Sequence, residues 1–114
     1  YTPYADAKVD EQHSGALQAD FSYLQGSRKG AVETYAGVWR SEPCVISFYQ
    51  DVDELCYIFE GRVTIKDLDA GQEETFKAGD CFLMLNGFNA EWTNHTHLAK
   101  HYMMVKPLED EGQQ

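Results

Sequence analysis

From residue 32 onward, short apolar segments alternate with brief polar breaks. The segments cover 32–38, 44–49, 55–59, 63–65, 75–76, 81–85, 90–93 and 101–105, and are rich in Val, Ile, Phe, Tyr and Trp. A helix of a globular protein usually needs about ten residues or more to present an apolar stripe, and β-branched and aromatic side chains suit a pleated, half-buried surface. Strands are therefore predicted for these segments. The breaks carry turn residues: Ser41-Glu42-Pro43, Asp51-Val52-Asp53, Glu60-Gly61, Asp69-Ala70-Gly71, Ala78-Gly79-Asp80 and Asn86-Gly87. Turn signals at this density predict an antiparallel sandwich or barrel. Asp69-Ala70-Gly71 and Asn86-Gly87 are the best hairpin candidates, because glycine, and less easily asparagine, accepts the positive φ of a tight turn.

The flanks read differently. Residues 1–30 are polar and weakly patterned, with Ala16-Leu17 and Phe21-Ser22-Tyr23-Leu24 as apolar anchors, and predict an arm with one or two short strands. Residues 108–114 are acidic and polar and predict a frayed tail. The expected organisation is an arm at 1–30, a barrel at 31–107 and a disordered acidic tail at 108–114. An arm too long for simple fraying is able to lend a strand to a second copy, so a homodimer is expected.

Composition narrows the partners. A chain of 114 residues suits one core, and 43% hydrophobic residues suffice to fold it. Nineteen acidic against nine basic residues leave a formal charge of −10, which repels phosphate backbones and anionic headgroups. Neither nucleic acid nor a membrane is an expected partner. Cys44, Cys56 and Cys81 are odd in number and match no zinc or redox spacing. With no membrane-spanning apolar run and no basic-then-apolar leader pattern, the expected location is the cytoplasm, with the thiols reduced. Gly-x-Ser-x-Gly, phosphate-binding glycine loops and zinc knuckles are absent, which removes the common hydrolase and nucleotide-binding readings.

One constellation is more specific. Glu54 is followed after six residues by Gly61, and further on come Gly79-Asp80, Leu85-Asn86-Gly87 and Asn94. Together with Gly37-Val38-Trp39-Arg40, Gly61-Arg62-Val63-Thr64, Trp92 and Lys100-His101-Tyr102, these residues resemble the two motifs of small cupins related to ureidoglycine aminohydrolase and to ethanolamine-utilisation cupins. The resemblance covers about residues 38–105, with Leu85 where proline is usual. It implies an all-β cupin double-stranded β-helix, a jelly-roll barrel, here with an N-terminal arm, often assembled as a dimer.

The departures from that pattern bear on chemistry. Metal-holding cupins place a His-x-His pair a few residues before the glutamate and a further histidine in the second motif; here Phe48 and Gln50 stand at the pair and Ala90 at the last. Glu54 with a neutral amide makes a weak site for Mn, Fe, Ni or Zn, so no transition metal and no other cofactor are expected. His95 and His97 follow Asn94 where a turn is expected, no third ligand is evident nearby, and they are read as surface residues. Alternation sets His101 on the opposite face from Lys100 and Tyr102.

Alternation also groups Phe48 with Gln50, Glu54 with Cys56 and Ile58, Trp92 with Asn94, and Lys100 with Tyr102. By the cupin resemblance these faces point into the barrel, which makes Trp39, Phe48, Gln50, Glu54, Trp92, Lys100 and Tyr102 the candidate ligand-binding residues. Trp39, Phe48 and Trp92 also fit a role as core filling. Glu54 needs a partner such as Lys100, Tyr102 or Gln50, because an unpaired buried carboxylate costs several kcal/mol. The first functional expectation is a module binding a small polar metabolite without a metal. The alternative is a small enzyme of isomerase, lyase or aminohydrolase type, with Glu54 as acid or base, assisted by Tyr102 and Lys100, or as a metal ligand.

Overall fold

A computed structural model describes residues 32–107 together with the backbone pairing of 8–9 and 18–29. The side chains of the arm and the whole tail at 108–114 lie outside the described residues, as does the fraying expected of the tail. Ten strands make up the described structure: β1 (Lys8–Val9), β2 (Gln18–Lys29), β3 (Val32–Ser41), β4 (Cys44–Tyr49), β5 (Asp53–Glu60), β6 (Arg62–Asp67), β7 (Glu73–Lys77), β8 (Cys81–Met84), β9 (Asn89–Asn94) and β10 (Leu98–Pro107). They form two antiparallel sheets, one ordered β1-β2-β3-β10-β5-β8 and the other β4-β9-β6-β7. This is the all-β jelly roll. In place of one or two short strands in the arm, β2 runs for 12 residues and pairs along β3.

The chain crosses between the sheets at nearly every connection after β3. β6 and β7 form a true hairpin, in which Asp67 Oδ1 accepts the backbone amides of Asp69 and Ala70 at 2.9 and 3.0 Å. The second hairpin candidate is corrected. Asn86-Gly87 joins β8 of one sheet to β9 of the other, and those strands do not pair. A glycine turn reports a positive φ, here +98° at Gly87, but not which strand the chain joins next. What holds this turn is a reciprocal clasp across the barrel mouth: Gln50 N donates to Phe88 O and Gly87 N donates to Gln50 O, both at 2.7 Å.

Period-two patterning places the core. In β5, Glu54, Cys56 and Ile58 are buried while Leu55 and Tyr57 face out, and β9 buries Ala90, Trp92 and Asn94. Cys56, Ile58, Val63, Ile65, Met84, Ala90, Trp92 and Leu98 form one apolar cluster between the sheets. Fully burying an aliphatic side chain such as Ile58 or Leu98 contributes about 1.5–3 kcal/mol.

Candidate functional site

The polar centre of the barrel is built on the inner face of β5 and β10. Tyr102 pairs with Cys56 and Met104 with Glu54 across that ladder. Near its end the register shifts between Ala99 and Lys100, a bulge that leaves Lys100 opposite Ile58. Trp39, from β3, is the neighbour of Lys100 on its other side.

The Lys100 ammonium lies 2.7 Å from Glu54 Oε2, with the two residues 8% and 7% exposed, so the pair is desolvated. Gln50 Nε2 donates to Glu54 Oε1 at 3.3 Å, and the Cys56 thiol donates to Glu54 Oε2 at 3.3 Å. Lys100 also donates to Cys56 Sγ at 3.5 Å. Its charge sits 4.6 Å from the centre of the Trp92 ring and 5.2 Å from that of Trp39, within cation–π range. Trp92 in turn donates its indole N–H to Asn94 Oδ1 at 2.5 Å and meets Trp39 edge-on at 5.9 Å.

Charge states follow from these contacts. Burial alone would raise the Glu54 pKa, but the Lys100 ammonium, with hydrogen bonds from Lys100, Cys56 and Gln50, holds the carboxyl below the usual glutamate range. Burial alone would lower the Lys100 pKa, whereas Cys56 and Glu54 raise it above the usual lysine range. The thiol is neutral at pH 7, so Glu54 is the charge that acts on Lys100 there. Burial pushes the Cys56 thiol up to about 12, with the Lys100 charge opposing and Glu54 adding. Cys56 is therefore expected to resist iodoacetamide in the native protein at pH 8, while the exposed Cys81 is alkylated. Peptide mapping after a short pulse checks this, and fast labelling of Cys56 would contradict the burial.

A cavity of about 130 Å³, the volume of about four waters, opens on this cluster. Trp39, Glu54, Lys100, Tyr102 and Met104 line it. Phe48, Gln50 and Trp92 stand behind rather than on its wall: Phe48 packs 6.4 Å from Trp92 within the core, Trp92 backs Lys100, and Gln50 steadies Glu54. The structure thus gathers four of the seven candidate residues at one cavity and leaves Phe48 as core filling. Sequence reasoning missed Met104 as lining, although it shares the face of Lys100 and Tyr102 by alternation. It also left Cys56 without a role.

His95, His97 and His101 lie away from this centre. His95 and His97 are exposed, and His95 Nε2 shares a 2.6 Å hydrogen bond with Thr64 Oγ1. His101 packs on the other side of its strand, 4.7 Å from Phe59 and 6.3 Å from Tyr57 between ring centres. Among the described residues no group of three or more His, Cys, Asp or Glu side chains converges. The residues present do not fit a cupin metal: Phe48 and Ala90 have no donor atoms, and the Lys100 ammonium already sits where a cation would contact Glu54.

A jelly roll with an acidic residue on the fifth strand and the glycine-marked turns at Gly61, Gly79 and Gly87 defines the cupin class. The model of the EutQ-like cupin domain matches residues 28–102, and the chain belongs to that family. The EutQ protein of Clostridium difficile superposes with a TM-score of 0.69 at 13% identity, over 90% of this chain and 82% of its own. A DUF861 family protein from Thermotoga maritima is 31% identical with a TM-score of 0.55, over 57% of this chain and 73% of its own. The polyketide cyclase RemF from Streptomyces resistomycificus shares the fold with a TM-score of 0.65 at 14% identity, over 96% of this chain and 79% of its own. No curated protein matches the sequence.

Proposed function

We propose that the barrel binds a small polar metabolite at the Lys100 cavity, without a transition metal. The observation that carries this reading is a buried ammonium on the wall of an open cavity. An ammonium has three donors. Glu54 and Cys56 engage two of them, which leaves capacity for a carbonyl or carboxylate oxygen of a ligand. Trp39 and Met104 offer an apolar wall for its carbon skeleton, and Glu54 keeps acceptor capacity for a hydroxyl.

An acid–base enzyme ranks second. Tyr102 on the same wall favours it, but Glu54 ionised against Lys100 is no general acid at pH 7, and its use as a base requires a substrate to take over the Lys100 contact. The cytoplasm is the location this reading assumes, and no helix among the described residues is long and apolar enough to cross a membrane.

Titration calorimetry against small carboxylates, hydroxy acids and their amides tests the binding reading. One or more is expected to bind saturably, one per chain. Lys100→Met combined with Glu54→Gln removes the ammonium without stranding a buried carboxylate, and should abolish that binding. Undiminished affinity in the folded double variant, or no saturable ligand in the panel, overturns the proposal.

A further inference from the structure

A larger cavity, about 430 Å³, lies elsewhere in the fold, at the open side of the sandwich where β6 and β7 face β8. Its floor is apolar and aromatic: Phe76 and Phe82 stack with ring centres 4.2 Å apart, and Ile65, Met84 and Phe88 complete it. Its rim has the opposite character, with three carboxylates, those of Asp67, Glu73 and Glu74, and, among the described residues, no lysine or arginine.

The register shows how these groups are presented. Asp67 is pinned by its Oδ1 contacts to the hairpin turn. Glu73 stands opposite Lys66, whereas Glu74 stands opposite Ile65 and, by alternation, shares the inward side with Phe76. Glu74 is therefore the carboxylate set above the aromatic floor. Met84 pairs with Glu54 across β5 and β8 and closes the cleft on the side of the Lys100 centre, none of whose cavity-lining residues reaches this wall.

A neutral apolar molecule would cover the floor and leave Glu74 without a counter-charge. An anion would meet both the rim and a formal charge of −10. The faces of aromatic rings attract cations, and a carboxylate nearby adds to that attraction. We propose that this cleft binds an organic cation: a protonated amine carried on a compact apolar body, the body against Phe76 and Phe82 and the ammonium toward Glu74. The site does not depend on the Lys100 reading.

The test follows resonance shifts of the labelled full chain at pH 7 during titration with phenethylammonium, phenethyl alcohol and phenylpropionate. The amine should bind at least about fivefold more tightly than the alcohol, the phenylpropionate should bind weakest, and the shifts should centre on Phe76, Phe82 and Glu74. Glu74 is exposed, so Glu74→Gln should fold normally and weaken the amine about fivefold, while Lys100→Arg should leave amine binding unchanged. Equal affinity for amine and alcohol, shifts centred outside the cleft, or full amine affinity in Glu74→Gln overturns the assignment. A loss of amine binding in Lys100→Arg would place the amine at the other cavity and overturn it as well.

Discussion

At pH 7, Lys100→Met is expected to lower the unfolding free energy by about 3–5 kcal/mol, because it leaves the Glu54 carboxylate buried without its counter-charge. The pH profile distinguishes this cause from lost packing. In the natural chain the folded-state pKa of Glu54 is depressed, so its contribution is present above the unfolded-state value and is lost as pH falls through the folded one. Lys100 is raised, so its contribution is present below the ordinary lysine pKa and is lost only as pH rises beyond it. The pair therefore stabilises the barrel from just above the ordinary carboxylate range to the ordinary lysine range. With the ammonium gone, burial dominates at Glu54 and raises its pKa. The variant should then become more stable as pH falls through that raised value, the reverse of the parent. Adding Glu54→Gln should recover much of the loss at pH 7, since a neutral amide removes the stranded charge. Denaturant unfolding of the four combinations between pH 4 and 9 checks this, and additive effects of the two substitutions would show that the contact is not an ion pair in solution.

Gly61→Ala should be the most disruptive of the turn substitutions. Gly61 has φ of +92°, and a Cβ there would collide with the carbonyl oxygen of His97 and press on Thr96 Oγ1. The positive φ alone costs about 1–2 kcal/mol for a residue with a Cβ. Displacing the chain after β9, where the obstacle is backbone rather than a flexible tip, adds about 1–3 kcal/mol. Gly79 provides the control: its φ is +98°, yet nothing among the described residues lies within 4 Å of an added Cβ. Gly79→Ala should show the conformational cost alone, and the difference in unfolding free energy between the two variants measures the collision. Equal losses would mean that the packing of Gly61 against His97 does not constrain the fold.

Much of this molecule is legible in the order of its residues. Alternation in β4, β5 and β9 set out which side chains face inward, because a strand turns successive residues to opposite sides whatever it pairs with. The glycines at 61, 79 and 87 announced turns because φ is a local property, and all three have positive φ. The resemblance to cupins rested on two short motifs and their flanks between Gly37 and Tyr102, whose residue types are read without any tertiary contact. The full length of β2 was hidden, since its pairing along β3 and not its own polar sequence makes it a strand. What Asn86-Gly87 connects was hidden too, because a turn sequence does not say whether the next strand stays in its sheet. Glu54 could be said from the sequence to need a partner, and Lys100 was one of three candidates. That the ammonium lies 2.7 Å away between two tryptophans, and that Phe48 stays behind the cavity wall, depends on strands 46 residues apart meeting in one register. The aromatic cleft with its acidic rim was invisible for the same reason: it is formed by the edges of two different sheets, and only their packing brings Phe82 of β8 against Phe76 of β7.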